Sequence, residues 1–155
     1  MKTAIVYYSE HHGNTKKLID AIAARNEVTL INVMKDEDVD LSEFDLVGFA
    51  SGIYYFKFNK KVCEYARRNL TKEGAEVFFL YTYGGKRDGY LKSITAAVSE
   101  HSAKVLGSYG CTGFDTYGPF KLVGGVEKGH PDENDIAGAV KFYDELISVK
   151  RGNEE

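Results

Sequence analysis

The sequence predicts an α/β fold with a doubly wound, five-stranded parallel sheet and helices on both faces. Short apolar runs alternate with segments whose apolar residues recur three and four positions apart. Several of these runs have no polar interruption, as is typical of parallel strands that are buried on both faces. Five strands in a chain of 155 residues favour the strand order 2-1-3-4-5.

Strand and helix patterns follow one another along the chain. The apolar runs predict strands at residues 4–8, 28–33, 46–50, 77–81 and 105–107. The helical periodicity predicts crossover helices at residues 15–24, 59–70 and 88–101. A last helix follows Asp132, which can serve as its N-cap, with Asp135 three residues further on.

Three segments lie outside these elements. The acidic residues 36–43 are predicted to form a solvated connector or a short helical turn. Residues 110–129 are rich in glycine and aromatic residues and are predicted to be a long loop, a kind of segment that is often functional. We expect residues 1–150 to form a single domain and residues 151–155 to be a frayed C-terminal tail.

Composition and charge argue against several classes of protein. The formal net charge is −3 and the sequence has no Lys/Arg-rich arm, so we expect no nucleic-acid partner. Cys63 and Cys111 are far apart and outside any C-x-x-C pattern, which predicts free thiols in a reducing cytoplasm. We also expect a cytoplasmic protein without a membrane partner, because no apolar stretch has a signal-peptide pattern or a membrane-spanning length.

The turn after the first predicted strand is the most informative segment. It contains Ser9, Gly13, Asn14 and Thr15 and opens a helix, whose first backbone N–H groups have no internal partner. Such a turn can bind a phosphate through those N–H groups and the polar side chains. It has neither the G-x-x-x-x-G-K-[ST] nor the G-x-G-x-x-G spacing. The alternative is a polar turn without a ligand.

Two further turns should meet the first one, because the carboxyl ends of parallel strands share one edge of a sheet. Glycines in both turns allow the backbone to approach a flat heterocycle, and aromatic residues can cover it. This combination predicts a mononucleotide with a large planar ring; the alternative is that the aromatic residues plug the sheet edge. The second turn comprises Ser51, Gly52, Ile53, Tyr54, Tyr55 and Phe56, and the third comprises Thr82, Tyr83, Gly84 and Gly85.

A phospho-receiver domain has the same strand order but requires other residues. It needs acidic residues at the end of its first strand and a phosphorylatable aspartate at the end of its third. Tyr8 and Ser9 stand at the first position and Ala50 and Ser51 at the second, so the receiver hypothesis is excluded by residue type.

With these three turns and five strands the chain resembles the flavodoxin family over almost its whole length. The resemblance implies a flavodoxin-like fold and noncovalently bound FMN. Ser9, Asn14 and Thr15 match the phosphate ligands of that family, and the second and third turns match its two ring-contacting loops. The phosphate turn departs from the family pattern by one additional residue, so contacts of Glu10, His11 and His12 cannot be transferred.

The resemblance implies a low-potential electron-transfer protein, with a reductase as donor and an acceptor enzyme as redox partner proteins. We expect a monomer with no catalytic side chain, because the flavin supplies the chemistry. The alternative is an FMN-dependent oxidoreductase of the same fold, similar to a quinone reductase or a protoporphyrinogen oxidase. A third alternative is a binding module without a flavin.

Two details of the predicted cofactor site come from this sequence itself. We expect His11 or His12 to donate a hydrogen bond to the FMN phosphate or ribityl chain, and no metal site, because adjacent histidines point apart. Basic residues follow the second and third turns and predict a basic rim that attracts an acidic partner or an anionic substrate. These residues are Lys57, Lys60, Lys61, Lys86 and Arg87.

Overall fold

The computed structural model of the protein describes residues 1–10, 13–114 and 124–154. Strands and helices alternate along the chain, as the sequence predicts. The strands are β1 (Thr3–Tyr8), β2 (Thr29–Asn32), β3 (Leu46–Tyr54), β4 (Lys57–Phe58), β5 (Glu76–Tyr83) and β6 (Lys104–Thr112). The helices are α1 (Asn14–Ala23), α2 (Lys60–Asn69), α3 (Lys92–Ser99) and α4 (Glu133–Glu154), with a 3₁₀ turn at Leu41–Glu43.

Five strands form a parallel sheet in the order β2-β1-β3-β5-β6. Val6 of β1 lies between Ile31 of β2 and Phe49 of β3, and Phe49 pairs in turn with Phe79 of β5. When only the parallel strands are numbered, this order is the predicted 2-1-3-4-5. The carboxyl ends of β1, β3 and β5 therefore meet at one edge of the sheet, with the reversal of strand order between β1 and β3.

Each face of the sheet packs against two helices. Val6 and Phe79 lie in one buried cluster with side chains of α2 and α3, such as Val62. Their chain neighbours Ile5 and Phe78 belong to a second cluster on the opposite face, with side chains of α1 and α4. Because successive residues of a strand point to opposite faces, one apolar run supplies both layers. This arrangement confirms the doubly wound α/β fold.

The 3₁₀ turn at Leu41–Glu43 confirms that the acidic connector includes a short helical turn. The Asp40 carboxylate accepts a hydrogen bond from the backbone N–H of Ser42 at 3.0 Å and caps this turn. Leu41 is buried and fixes the turn on the core. The acidic residues of this segment are solvated and only Leu41 anchors it. Residues 36–43 therefore show little of the apolar pattern that predicts a helix.

Several strands are longer than predicted. β3, β5 and β6 continue to Tyr54, Tyr83 and Thr112, so the second turn, the third turn and the predicted long loop all begin inside strands. α3 is shorter than predicted and begins only at Lys92. The ends of these strands contain polar and glycine residues, which do not indicate a strand in the sequence. They belong to the sheet because they pair with the neighbouring strand.

The C-terminal residues 151–154 form the last turn of α4, where the sequence predicted a frayed tail. The Lys150 ammonium group forms an ion pair with the Glu76 carboxylate at the start of β5 and lies 3.7 Å from Glu154. Glu76 also raises the pKa of Lys150. This contact between distant parts of the chain holds the end of the helix on the sheet.

The first turn of α4 confirms the predicted cap. The backbone N–H of Asp135 donates to the Asp132 carboxylate, and the N–H of Asp132 donates to the Asp135 carboxylate, both at 2.9 Å. These reciprocal bonds form a capping box. Among the described residues, no helix combines the length and the apolar character that a membrane crossing requires.

Candidate functional site

The first turn connects β1 to α1 through a left-handed glycine. Gly13 precedes the helix with φ 64° and ψ 31° and no side chain caps the helix at that position. The Ser9 hydroxyl accepts a hydrogen bond from the backbone N–H of Lys16 at 3.2 Å. The N–H groups of Asn14 and Thr15 have no acceptor within the helix, as in the first turn of any α-helix. His11 and His12 lie outside the described residues.

The side chain of Asn14 has a hydrogen-bond acceptor that no described residue satisfies. Its side-chain amide donates to the backbone carbonyl of Phe114 at 2.8 Å, while its Oδ1 atom is buried and has no hydrogen-bond partner among the described residues. Gly113 permits this close approach, since a Cβ atom there would lie 2.6 Å from Nδ2 of Asn14. A buried acceptor without a donor is costly, so this atom indicates a ligand that supplies a hydroxyl or N–H group.

Thr15 and Thr82 join the first turn to the third. Their hydroxyl oxygens are 3.0 Å apart and both side chains are buried. Two hydroxyls carry two donors and this contact uses one of them, so one O–H remains for a third partner. The Thr82 side chain faces the first turn and lines the cleft, and its contact with a flavin ring stays a prediction.

The second turn is a tight hairpin between β3 and β4, which the sequence did not predict. Tyr54 pairs with Lys57, and the two residues between them, Tyr55 and Phe56, have φ of 50° and 64°. Two-residue hairpin turns require positive φ at these positions, which normally favours Asn or Gly. Bulky residues in this conformation store backbone strain, which natural proteins concentrate at functional sites.

The hairpin separates the side chains of the second turn. Ser51 is buried, donates to the Gly52 carbonyl at 2.5 Å and accepts from the Asn59 N–H at 3.1 Å, so it fixes the hairpin. The Ile53 side chain is buried in the core. Tyr55 and Phe56 are 69% and 48% exposed. Tyr55 and Phe56 therefore do not plug the sheet edge, the alternative that the sequence left open for the aromatic residues.

Tyr54 crosses from the second turn to the first. Its hydroxyl lies 3.4 Å from the backbone nitrogen of Glu10 and 3.3 Å from its carbonyl oxygen. The ring packs edge-on against Tyr8, with centroids 6.1 Å apart, and passes close over Gly52, where a Cβ atom would lie 2.8 Å from the Tyr54 hydroxyl. Gly52 is therefore required for this position of the ring.

The third turn leaves β5 beside a group of tyrosines. Tyr83 packs against Tyr81 and Tyr90 with centroid distances of 5.9 Å and 5.6 Å. The Tyr90 hydroxyl donates to the Gly85 carbonyl and so holds the turn. Gly113 continues the ladder by donating from its N–H to the Tyr83 carbonyl at 2.9 Å.

The three turns converge on a narrow cleft, as the sequence predicts. The free space between them is about 20 Å³, and Tyr54 is one of the residues that line it. Gly113 and Phe114 also line this cleft, and Gly113 was missed because nothing local in the sequence indicates its contact with Asn14. The lining residues are Glu10, Asn14, Gly52, Ile53, Tyr54, Thr82, Tyr83, Gly84, Gly113 and Phe114.

Tyr109 and Cys111 lie near the end of β6 and do not line the described cleft. Tyr109 instead donates to the Asp135 carbonyl at 2.7 Å, on the α4 side of the sheet, and Cys111 packs in the core of that face. Burial raises the pKa of the Cys111 thiol to about 12, so it is an inert core residue. Asp115 lies outside the described residues.

The rim of the cleft is basic in part. The Arg87 guanidinium lies 4.1 Å from the centre of the Phe56 ring. Within the described ranges, Lys57, Lys86 and Arg87 form no ion pair, whereas Lys60 lies 3.8 Å from Glu64. Lys61, the remaining residue of the predicted rim, lies 3.3 Å from Met34 Sδ and likewise forms no ion pair with a described residue. Four of the five predicted rim cations therefore have no carboxylate partner in that part of the chain.

A separate cluster of ionisable groups lies at the start of α4. His130 Nδ1 is 2.6 Å from the Asp135 carboxylate and 3.8 Å from that of Asp132, and all three offer atoms within 4.8 Å of one another. Asp135 raises the pKa of His130, mainly through this hydrogen bond. Both carboxylates already serve the capping box, so the cluster is explained by helix capping.

The geometry of the three turns agrees with the comparison to known protein families. A family model described as a flavodoxin domain matches residues 5–106. The chain belongs to the flavodoxin domain family. An uncharacterized protein of Methanocaldococcus jannaschii is 33% identical to this flavodoxin-family chain over 149 residues, which cover 95% of it and 99% of the relative.

Solved structures show that this flavodoxin-family fold is shared by carriers and enzymes. Oxidised Flavodoxin 2 from Bacillus cereus superposes with a TM-score of 0.63 at 18% identity, covering 96% of this chain and 99% of that one. An NADPH-quinone reductase from P. pentosaceus has a TM-score of 0.62 at 13% identity, covering 92% and 97%. These likenesses confirm the fold and do not choose between the two functions.

Membership of the flavodoxin family implies a flavin cofactor, and the residues of the cleft fit one. The Asn14 Oδ1 atom, which has no partner among the described residues, the first N–H groups of α1 and the second threonine proton together suit a polyhydroxyl chain that ends in a phosphate. The free space in the cleft, about 20 Å³, is too small for a three-ring system, so part of its lining, which includes Tyr54, must move to admit the ring end. The site therefore fits best at its phosphate and ribityl end.

Proposed function

We propose that the protein binds FMN noncovalently in the cleft and acts as a low-potential electron-transfer protein. The observation that carries this proposal is the buried Oδ1 atom of Asn14 at the turn between β1 and α1, which has no hydrogen-bond partner in the part of the chain that the structure describes. A ribityl hydroxyl would satisfy it, and a phosphate would not, because a phosphate dianion has no proton to donate. The chemistry of this atom thus favours a phosphorylated polyol over a bare anion.

The chain contributes binding and orientation. The N–H groups of Asn14 and Thr15 would hold the phosphate at the positive end of the α1 dipole, with the hydroxyls of Ser9 and Thr15 beside it. The backbone at Gly52 and the ring of Tyr83 would contact the isoalloxazine. Bound FMN supplies the redox chemistry, which needs no catalytic side chain.

The surface around the cleft suits transfer to a protein. Tyr55 and Phe56 project from the strained hairpin beside the cleft, and Lys57, Lys86 and Arg87 lie around them. Aromatic residues and arginine are enriched in protein interfaces. The partners we propose are a reductase that donates electrons and an acceptor enzyme with an acidic docking face, steered by the cationic rim.

An FMN titration with a matched pair of variants tests the cofactor proposal. FMN fluorescence should be quenched on binding at one site per chain. Asn14→Ala should weaken the affinity about tenfold, since it removes a hydrogen bond worth about 1.4 kcal/mol. Asn153→Ala, an exposed asparagine on α4, should bind like the parent. Equal affinities for both variants, or no quenching with the parent, would refute the assignment of the site.

A second candidate function is that of an FMN-dependent oxidoreductase, similar to a quinone reductase or a protoporphyrinogen oxidase. A groove lined by Tyr81, Tyr83 and Lys86 adjoins the cleft and could admit a small substrate. Anaerobic mixing of the FMN-loaded protein with NADPH distinguishes the two candidates. Rapid bleaching of the flavin by NADPH alone supports the enzyme, whereas a requirement for an added reductase supports the carrier.

We also propose a cytoplasmic location and a monomeric state. Cys63 and Cys111 are free and buried, which suits a reducing compartment. Sedimentation at several concentrations should give a single species near the chain mass of 17.3 kDa.

A further inference from the structure

A groove of about 650 Å³ lies beside the flavin cleft, between the segment 86–91 and the outer face of α3. It is separate from the cleft but shares one wall with it, since Tyr83 lines both. This volume is within the usual range for small-molecule sites. The proposed electron-transfer role does not use this groove, whereas the second candidate function does.

Three tyrosines form one wall of this groove. The planes of Tyr81 and Tyr83 are inclined by 34° and those of Tyr83 and Tyr90 by 38°, with centroids less than 6 Å apart. Tyr81 lies flat across the neighbouring strand because residue 110 is glycine, where a Cβ atom would lie only 2.2 Å from the ring. Tyr81 and Tyr83 remain partly exposed, so their faces are available for stacking.

The groove is also lined by cationic side chains. Lys86, Arg87 and Lys92 line it, together with a single carboxylate, Asp88. None of these three cations forms an ion pair within residues 1–10, 13–114 and 124–154. Lys92 extends along Gly89, where a Cβ atom would lie 3.4 Å from its side chain. The groove therefore combines an aromatic wall with an excess of positive charge.

Two other grooves lack this combination. The groove between α1 and α4, of about 870 Å³, contains no aromatic ring and has Glu133, Asp144 and Glu145 among its lining residues. The groove between β6 and α4, of about 480 Å³, contains one ring, Phe142, and its carboxylates include Glu76 and Glu145. In both grooves the carboxylates outnumber the cations, which are Arg25 and Lys141 in the first and Lys150 in the second, so both suit an anion less well.

We propose that the groove between Tyr81, Tyr83, Lys86 and Lys92 binds a small planar aromatic anion. The flat part of the ligand stacks on the tyrosines, and its carboxylate, sulfonate or phosphate group pairs with the lysines. The inference goes beyond the electron-transfer proposal, because it requires only side chains of this groove and no flavin. A ligand bound there lies one tyrosine ring away from the cleft.

Calorimetric titration with anthraquinone-2-sulfonate tests this inference on the purified full chain, without and with saturating FMN. The parent should bind one probe molecule in both conditions. The uncharged analogue 2-(hydroxymethyl)anthraquinone should bind about tenfold more weakly or less, since it lacks the charge that the lysines recognise.

Charge reversal locates the binding site. The double variant Lys86→Glu/Lys92→Glu should weaken probe binding at least about tenfold. The control, Lys72→Glu/Lys104→Glu, carries the same change of net charge on exposed lysines at the other end of the sheet and should stay within about twofold of the parent. Ala96→Trp, which fills the groove from α3, should abolish binding.

Three results would overturn the inference. They are the absence of saturable probe binding to the parent, equal losses in both double variants, and stoichiometric displacement of the probe by FMN, which would place the probe in the flavin cleft. If FMN itself does not bind, the cofactor proposal fails. The titrations without FMN still test whether the groove binds the probe.

Discussion

The hydroxyl oxygens of Thr15 and Thr82 lie 3.0 Å apart, although the two residues are 67 positions apart in the chain. This contact connects the first turn of α1 with the end of β5 and so ties the phosphate turn to the third turn. Both side chains are buried, so a hydroxyl that loses its partner cannot form a hydrogen bond with bulk water instead.

Thr82→Val should destabilise the protein by about 1–3 kcal/mol, because it leaves the buried Thr15 hydroxyl without its partner. Urea unfolding measures the change. Thr82→Ser keeps the hydroxyl and should recover most of the loss, whereas Thr29→Val, at an exposed position of β2, should have little effect. A Thr82→Val variant as stable as the parent would show that the contact contributes nothing.

Gly13→Ala should cost about 1–2 kcal/mol of stability, because an L-residue is strained at φ 64°. The effect comes from the backbone alone, since a Cβ atom at Gly13 meets no atom within 4 Å. Gly152→Ala is the matched control, because it lies in α4 with equal space around it and should stabilise the helix by up to about 1 kcal/mol. Thermal or urea unfolding of both variants compares them, and changes of the same sign would contradict the assignment of strain to Gly13.

Tyr54→Phe should accelerate FMN association several-fold and leave the stability nearly unchanged. The change removes the two long hydrogen bonds between the Tyr54 hydroxyl and the backbone of Glu10, which hold the ring across the cleft. Stopped-flow measurement of flavin quenching gives the rate. Tyr55→Phe, which alters an exposed hydroxyl on the hairpin, serves as control. Equal association rates for the parent and Tyr54→Phe would show that the ring does not limit entry.

The stability contributed by His130 should depend on pH. Asp135 raises the pKa of His130 above its usual 6.5, so the contribution is complete below pH 6.5 and is lost as pH rises through the folded-state pKa. His130→Gln should therefore lower the melting temperature more at a pH just below 6 than at a pH above 8.

Asp132, a carboxylate of this cluster, makes the stability depend on pH in the acidic range. The backbone N–H of Asp135 lowers the pKa of Asp132 below 3.8. The contribution of Asp132 to stability is therefore present above pH 3.8 and is lost as pH falls through the lower, folded-state pKa.

In an Asp135→Asn background, the pH dependence of the His130→Gln effect should largely disappear. If that dependence persists unchanged, the histidine is stabilised by another group.

Sequence alone predicted the elements whose signals are local. The apolar runs around Val6, Phe49 and Phe79 indicated the buried strands, and their number favoured the observed order. The turn with Gly13, Asn14 and Thr15 was recognised because a strand, polar residues and a helix follow one another directly. Asp132 and Asp135 were correctly placed at the start of α4 for the same reason.

Features that depend on distant contacts could not be predicted in this way. Tyr55 and Phe56 occupy hairpin positions without the Asn or Gly that normally indicates such a turn, so β4 was missed. The contact of Gly113 with Asn14 and the ion pair of Lys150 with Glu76 both join segments far apart in sequence. The path of Tyr54 over Gly52 depends on packing, which a linear pattern does not contain.

The proposed site distinguishes FMN from riboflavin, which lacks only the phosphate. The α1 N-terminus and the hydroxyl side chains provide a site for that phosphate, so we expect FMN to bind at least about a hundredfold more tightly, equivalent to about 2.7 kcal/mol. Parallel fluorescence titrations of the protein with the two flavins test the central claim most directly. One tightly bound FMN per chain with weak riboflavin binding is the predicted result, whereas equal affinities or no binding of either flavin would contradict it.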